Sequence, residues 1–108
     1  MSWRARAITG AFTSDTEKVI ATKGVNETVL TSLGWTNDTA LPLDITIRLK
    51  RSGVYSGEYR QNVPPGAPFN VSEMPEYTLD VVGDEVMAIF TTGQVFTGRF
   101  VSNLKDWL

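Results

Sequence analysis

These 108 residues contain neither cysteine nor histidine. Without cysteine there is no disulfide framework and no cysteine zinc site. Without histidine the usual general base and the commonest metal ligand are gone, and a Ser-His-Asp triad goes with them. No Gly-x-Ser-x-Gly elbow occurs, and the isolated glycines make no phosphate-cradling loop. Long apolar runs are also missing. No stretch approaches the roughly 20 residues of a membrane helix, and the arginines of Met1–Ala7 are not followed by a signal-peptide core. A 3.6-residue period is absent too, except for helical scope in Leu104–Leu108. Ten Lys+Arg against twelve Asp+Glu leave a net charge of −2, which argues against nucleic acid as a principal partner. The expectation is a soluble, non-enzymatic domain with no cofactor, no metal and no membrane contact, made in the cytoplasm.

Alternating apolar residues dominate what remains. Leu43, Ile45, Ile47 and Leu49 alternate with Asp44, Thr46, Arg48 and Lys50, the pattern of a half-buried strand. Arg51-Ser52-Gly53 is a turn signal, and Val54–Gln61 returns from it. The spacing predicts further strands over Glu17–Ala21, Glu27–Thr36, Tyr77–Val82, Glu85–Phe90 and Val95–Val101. Val29, Thr31, Leu33 and Trp35 share one face of the second of these, so Trp35 is placed in the core. Val63–Pro68 holds three prolines and is no central strand; its Pro65-Gly66 suits the middle of a type II turn. The last three predicted strands read as a meander, turning at Gly83-Asp84 and at Thr91-Thr92-Gly93-Gln94. Seven or eight short strands predict an all-β fold, a two-sheet antiparallel sandwich that is either jelly-roll-like or Ig-like. Residues 1–12 are expected to be an extended arm or edge strand, 13–103 the sandwich and 104–108 a short tail.

Four groups of residues could carry chemistry. Glu73, Glu76, Asp80, Asp84 and Glu85 form an acidic stretch in which paired carboxylates could serve a hydrolase or hold calcium; solvated turn carboxylates are the simpler reading. Arg48, Lys50, Arg51 and Arg60 cluster on one hairpin, fit to meet an acidic partner or to discourage stray edge pairing. Trp35, Tyr55 and Tyr59 would form a sugar-stacking platform if exposed on one face, or packing if not. Asn26-Glu27-Thr28, Asn37-Asp38-Thr39 and Asn70-Val71-Ser72 are glycosylation sequons that turn-forming asparagines also explain.

The order of these features resembles small β-sandwich virion proteins of tailed bacteriophages. The likeness covers roughly residues 25–101. It runs from the β-forming segment Glu27–Trp35 through the hairpin Leu43–Gln61 and the turn Val63-Pro64-Pro65-Gly66-Ala67-Pro68 to Leu79-Asp80-Val81-Val82-Gly83-Asp84-Glu85-Val86. The resemblance implies a structural protein of the virion, a decoration or cement protein of the capsid or a neck or tail component. It also implies docking to other virion proteins and a homo-oligomer, a trimer by preference, since such proteins commonly sit on three-fold positions. The competing class is a carbohydrate- or protein-binding adhesion module. Tryptophans near both ends of the chain mark docking candidates, so the residues expected to meet a partner are Trp3, Arg4, Arg6, Arg48, Lys50, Arg51 and Trp107. Of the two ends, the N-terminal one is the expected docking arm, dispensable for stability.

Overall fold

The computed structural model describes residues 1–90 and 97–108; the turn expected at Thr91–Gln94 and the start of the strand expected from Val95 lie outside them. Eight strands follow one another: β1 (Trp3–Thr13), β2 (Lys18–Thr22), β3 (Thr28–Gly34), β4 (Leu43–Arg51), β5 (Val54–Val63), β6 (Tyr77–Leu79), β7 (Glu85–Phe90) and β8 (Thr97–Trp107). They form two antiparallel four-stranded sheets, ordered β1-β8-β3-β6 and β2-β7-β4-β5. Only the β4–β5 hairpin stays within one sheet; every other connection crosses to the opposite layer. This is a jelly-roll sandwich, which decides between the two sandwich types.

Local chemistry explains the turns. Ser52 and Gly53 both have positive φ, 51° and 78°, the requirement of a two-residue type I′ hairpin joining Arg51 to Val54. Gly66 has φ 75° and the Ala67 N–H reaches the Pro64 carbonyl at 3.1 Å, so Pro64–Ala67 is the expected type II turn. Val81–Asp84 closes in the same way, with Gly83 at φ 88° and a 3.0 Å bond from the Asp84 N–H to the Val81 carbonyl.

The core lies between the sheets. Phe12, Ile20, Leu30, Leu33, Leu43, Ile45, Ile47, Leu79, Val86 and Phe90 are buried there. An aromatic cluster fills one part of it: the Phe12 ring stacks on Phe100 at 4.4 Å and meets Phe90 edge-on at 5.0 Å, while Trp35 lies 4.7 Å from Phe90. The layers are also tied by hydrogen bonds. The Tyr77 hydroxyl, on β6, lies 2.5 Å from the Gly57 carbonyl oxygen and 3.2 Å from that of Ile47 in the other sheet. Burial, with the nearby Tyr59 and Glu58 adding to it, pushes the Tyr77 hydroxyl up to about 12.

Two expectations need correction, and one alternative is decided. The closing strands are no meander: β6 pairs with β3, whereas β7 pairs with β2 and β4 in the opposite sheet. The turn at Gly83-Asp84 crosses between layers instead of folding back. Leu104–Leu108 is not a helical turn. It continues β8, because Leu104 enters the core and the Trp107 N–H donates to the Glu27 carbonyl at 2.9 Å. Residues 1–12, finally, take the edge-strand alternative. β1 pairs with β8 from Trp3↔Trp107 to Thr13↔Thr97, and Ser2 and Leu108 exchange backbone hydrogen bonds beyond it.

Candidate functional site

Strand register brings three loops and both chain ends to one end of the sandwich. Trp3 pairs with Trp107, Thr28 with Asp106 and Leu79, Lys50 with Glu85, and Arg51 with Val54. The loops 23–27, 52–53 and 80–84 therefore cap the same end as the termini. Apolar side chains point into water there. Val25 is 88% exposed, Val54 68% and Val82 90%, with Met1, Trp3, Val81 and Leu108 also exposed. Single exposed apolar residues are ordinary, but their gathering at one end makes it the candidate contact surface.

Four of the seven expected docking residues sit at this end. Trp3 and Trp107 meet edge-on with ring centroids 5.1 Å apart, and the Lys105 ammonium lies 4.9 Å over the Trp3 ring. Lys50 and Arg51 approach the end from β4. The structure gives most of the cations internal work. Arg6 donates from Nε to Asp106 Oδ2 at 2.7 Å and from Nη2 to the Thr22 carbonyl at 2.7 Å. Arg48 lies 3.9 Å over the Tyr55 ring and 3.5 Å from Glu17. Arg4 is exposed on β1. Arg6 thus fastens β1 to the end of β2 in the opposite sheet. An N-terminal arm that stability could spare is not what the structure shows.

The acidic stretch divides. Asp84 is buried, and its carboxylate accepts from Arg51 Nε at 2.8 Å, Arg51 Nη2 at 2.7 Å, and the backbone N–H groups of Asp80 and Val81 at 3.2 and 3.0 Å. The Arg51 hydrogen bonds, helped by those N–H groups, outweigh burial and hold Asp84 below the usual carboxylate range. Arg51 Nη2 also reaches Asp80 at 2.8 Å. These two carboxylates and Arg51 lock the β6–β7 crossing onto β4. Asp106 is a second such anchor: burial pushes its pKa up, but hydrogen bonds from Arg6 and Thr28 overcome that and leave it low. Glu73 lies elsewhere, in a single 3₁₀ turn over Val71–Glu73. Among the described residues no group of three His, Cys, Asp or Glu side chains is placed to hold a metal ion.

The three aromatics of the supposed platform do not share a surface. Trp35 is in the core, Tyr59 packs edge-on against Phe69 at 6.5 Å, and Tyr55 lies outside beneath Arg48. Among the described residues the concavities are shallow. One, of about 490 Å³, lies over Asp44, Thr46, Arg60, Gln61 and Asn62 on the outer face of the second sheet. Two sequon asparagines have structural duties. Asn37 is fully buried and donates to the Leu41 and Val63 carbonyls while accepting from Thr39; Asn70 caps the 3₁₀ turn by accepting from Ser72. The exposed valines were missed in the sequence. Their signal was an apolar residue inside turn chemistry, as in Lys23-Gly24-Val25-Asn26 or Val81-Val82-Gly83-Asp84.

No family model matches this chain, and no curated protein does. Among solved structures it is similar to a protein of Bacillus endospore appendages, a family of disulfide-linked pili. The TM-score is 0.58 at 18% identity, covering 99% of this chain and 89% of the other. At that identity the likeness concerns the fold. No helix among the described residues is long and apolar enough to cross a membrane.

Proposed function

We propose that this protein is a non-enzymatic structural subunit that works by docking against its neighbours in a repeating assembly. One observation carries the reading: apolar side chains from three loops and both chain ends project into water at a single end of the sandwich. Several of the charged side chains nearby are engaged within the fold, as the Arg51–Asp84 and Arg6–Asp106 pairs show. Multivalent docking on a symmetric particle or fibre turns such a surface into strong attachment. The shared fold with an appendage protein supports an assembling role. The sequence resemblance supports a phage virion as the setting, with capsid or tail proteins as neighbours and synthesis in the host cytoplasm. In these 108 residues, which lack cysteine, the contacts would be non-covalent.

Immunogold electron microscopy of the producing culture and its lysate tests this. Label is expected on particles or fibres for the wild type and is lost from them for the Val25→Asp/Val82→Asp variant, whose two sites are exposed turn positions. Diffuse label unattached to any particle or fibre, in the wild type as in the variant, would overturn the reading.

A further inference from the structure

Four strands end the two sheets, and three of them are guarded against pairing with another chain. β6 has three residues. β2 has five, with a break in register between Val19 and Ala21. β5 is long, but a bulge opposite Arg48 interrupts it at Gly57, where φ is 62°, and Glu58 and Arg60 flank the break. Short length, bulges and charge are the devices that blunt a sheet edge. β1 has neither short length nor a bulge: its eleven residues run in unbroken register without proline, and of its two charges, Arg4 and Arg6 near its start, Arg6 is already paired with Asp106.

The unpaired backbone groups of β1 can be assigned. Ser2 and Leu108 exchange both of their hydrogen bonds, and hydrogen-bonded pairs alternate along an antiparallel ladder. Residues 4, 6, 8, 10 and 12 therefore bond to β8, while Ala5, Ala7, Thr9 and Ala11 turn N–H and C=O outward to the free edge. Their side chains are small. They are also symmetric about Ile8, since Ala5 and Ala11, like Ala7 and Thr9, lie equally far from it.

We infer that β1 pairs with β1 of a second copy, antiparallel about a two-fold axis at Ile8, joining two four-stranded sheets into one. In this register Ala5 faces Ala11 and Ala7 faces Thr9 of the other copy, for about eight hydrogen bonds. The half-buried Ile8 meets its own counterpart on the inner face. Arg6 lies opposite Gly10, and the exposed Arg4 stands beyond the hydrogen-bonded stretch. The two Arg4 residues are eight positions apart along the ladder, about 27 Å, well past the screening length of about 8 Å at physiological salt. The two Arg6 residues come closer, four positions or about 14 Å apart, but each is paired with Asp106, so charge does little to oppose the pairing. A second copy is the fitting occupant because the edge is self-complementary, as a two-fold interface must be.

Light scattering and sedimentation of the full chain test this, with a mass of twice 11.9 kDa expected. Ala7→Pro removes an outward N–H that the β1–β8 ladder does not use. It deletes two interfacial hydrogen bonds per dimer and should raise the dissociation constant by roughly 30-fold or more, with far-UV circular dichroism unchanged. Ala7→Lys should act likewise and decides the matter if the proline variant fails to fold. The double variant Ala7→Cys/Thr9→Cys should oxidise to a covalent dimer, because a hydrogen-bonded pair places its Cα atoms about 5.5 Å apart. A wild type that stays monomeric at several hundred micromolar overturns the inference. So does a dimer that survives both Ala7 variants, or an oxidised double variant that yields a ladder of higher masses. The edge and the apolar end are separate surfaces, so Val25→Asp/Val82→Asp should leave this dimer intact.

Discussion

Replacing Phe12 with alanine removes the one fully buried side chain of the edge strand β1. Phe12 is fully buried, stacks on Phe100 at 4.4 Å, meets Phe90 at 5.0 Å and approaches Trp35 at 6.3 Å. Area gives one figure: losing most of ~150 Å² of buried apolar surface at ~25 cal/mol/Å² costs about 3–4 kcal/mol. Cavity formation gives another, about 3–5 kcal/mol for Phe→Ala in cores. The two agree on about 4 kcal/mol, much of the roughly 5–15 kcal/mol that holds a domain together. An unfolding entropy of about 0.23 kcal/mol/K for a chain of this length turns that into a fall in Tm of about 15–20 °C. Urea unfolding should be followed both by tryptophan fluorescence, which senses Trp35, and by far-UV circular dichroism. The two transitions should shift together. A loss below about 1.5 kcal/mol would refute the placement of β1 in the core, since a strand that merely lay along β8 would lose little on this truncation.

Gly98→Ala should cost about 1–3 kcal/mol in a urea titration, because the added Cβ would lie 2.5 Å from Trp35 Nε1 in a ring already packed against Phe90; a neutral result would contradict that contact. Acid should also destabilise the fold. Asp84 and Asp106 have pKa values lowered on folding, so below the ordinary aspartate value of about 3.9 the unfolded chain binds more protons. Their contribution is complete above that pH and disappears as pH falls through the lower folded values. Asp84→Asn and Asp106→Asn should each lower stability at pH 7 and flatten its acid limb, and an unchanged slope in both would show that other groups carry it.

The fold class was legible because turn chemistry and alternation were strong where they agreed. β4 reads the same in sequence and structure, with Leu43, Ile45 and Ile47 buried and Asp44 exposed. The failures come from bulges, which alternation does not foresee. A register shift between Leu30 and Ser32 reverses the phase of β3, so Leu30 joins Leu33 and Trp35 in the core instead of Val29. Gly57 does the same on β5 and sends Tyr55 and Tyr59 to opposite faces. Layer assignment was hidden for a different reason. Glu85–Phe90 is a good strand in either sheet; it joins the second through its ladders to β2 and β4, with the Asp84 anchor holding the β6–β7 crossing that leads there. The candidate site was half visible. Its tryptophans stand out near the chain ends, while Val54, Val81 and Val82 fall in predicted strands and Val25 in a turn, with nothing in the pattern to mark them as exposed.

The pairing of β1 with β8 also dictates an order of events in folding. β1, made before the other seven strands, finds its partner ladder only when Thr97–Trp107 has been made. Loop closure over nearly the whole chain must precede the reward of that contact. The β4–β5 hairpin, closed by two residues, can form long before. On a ribosome, β1 therefore waits through most of synthesis with both of its edges open. Many such chains emerging close together would offer one another what each still lacks. Production at low temperature or with slowed initiation is the corresponding remedy.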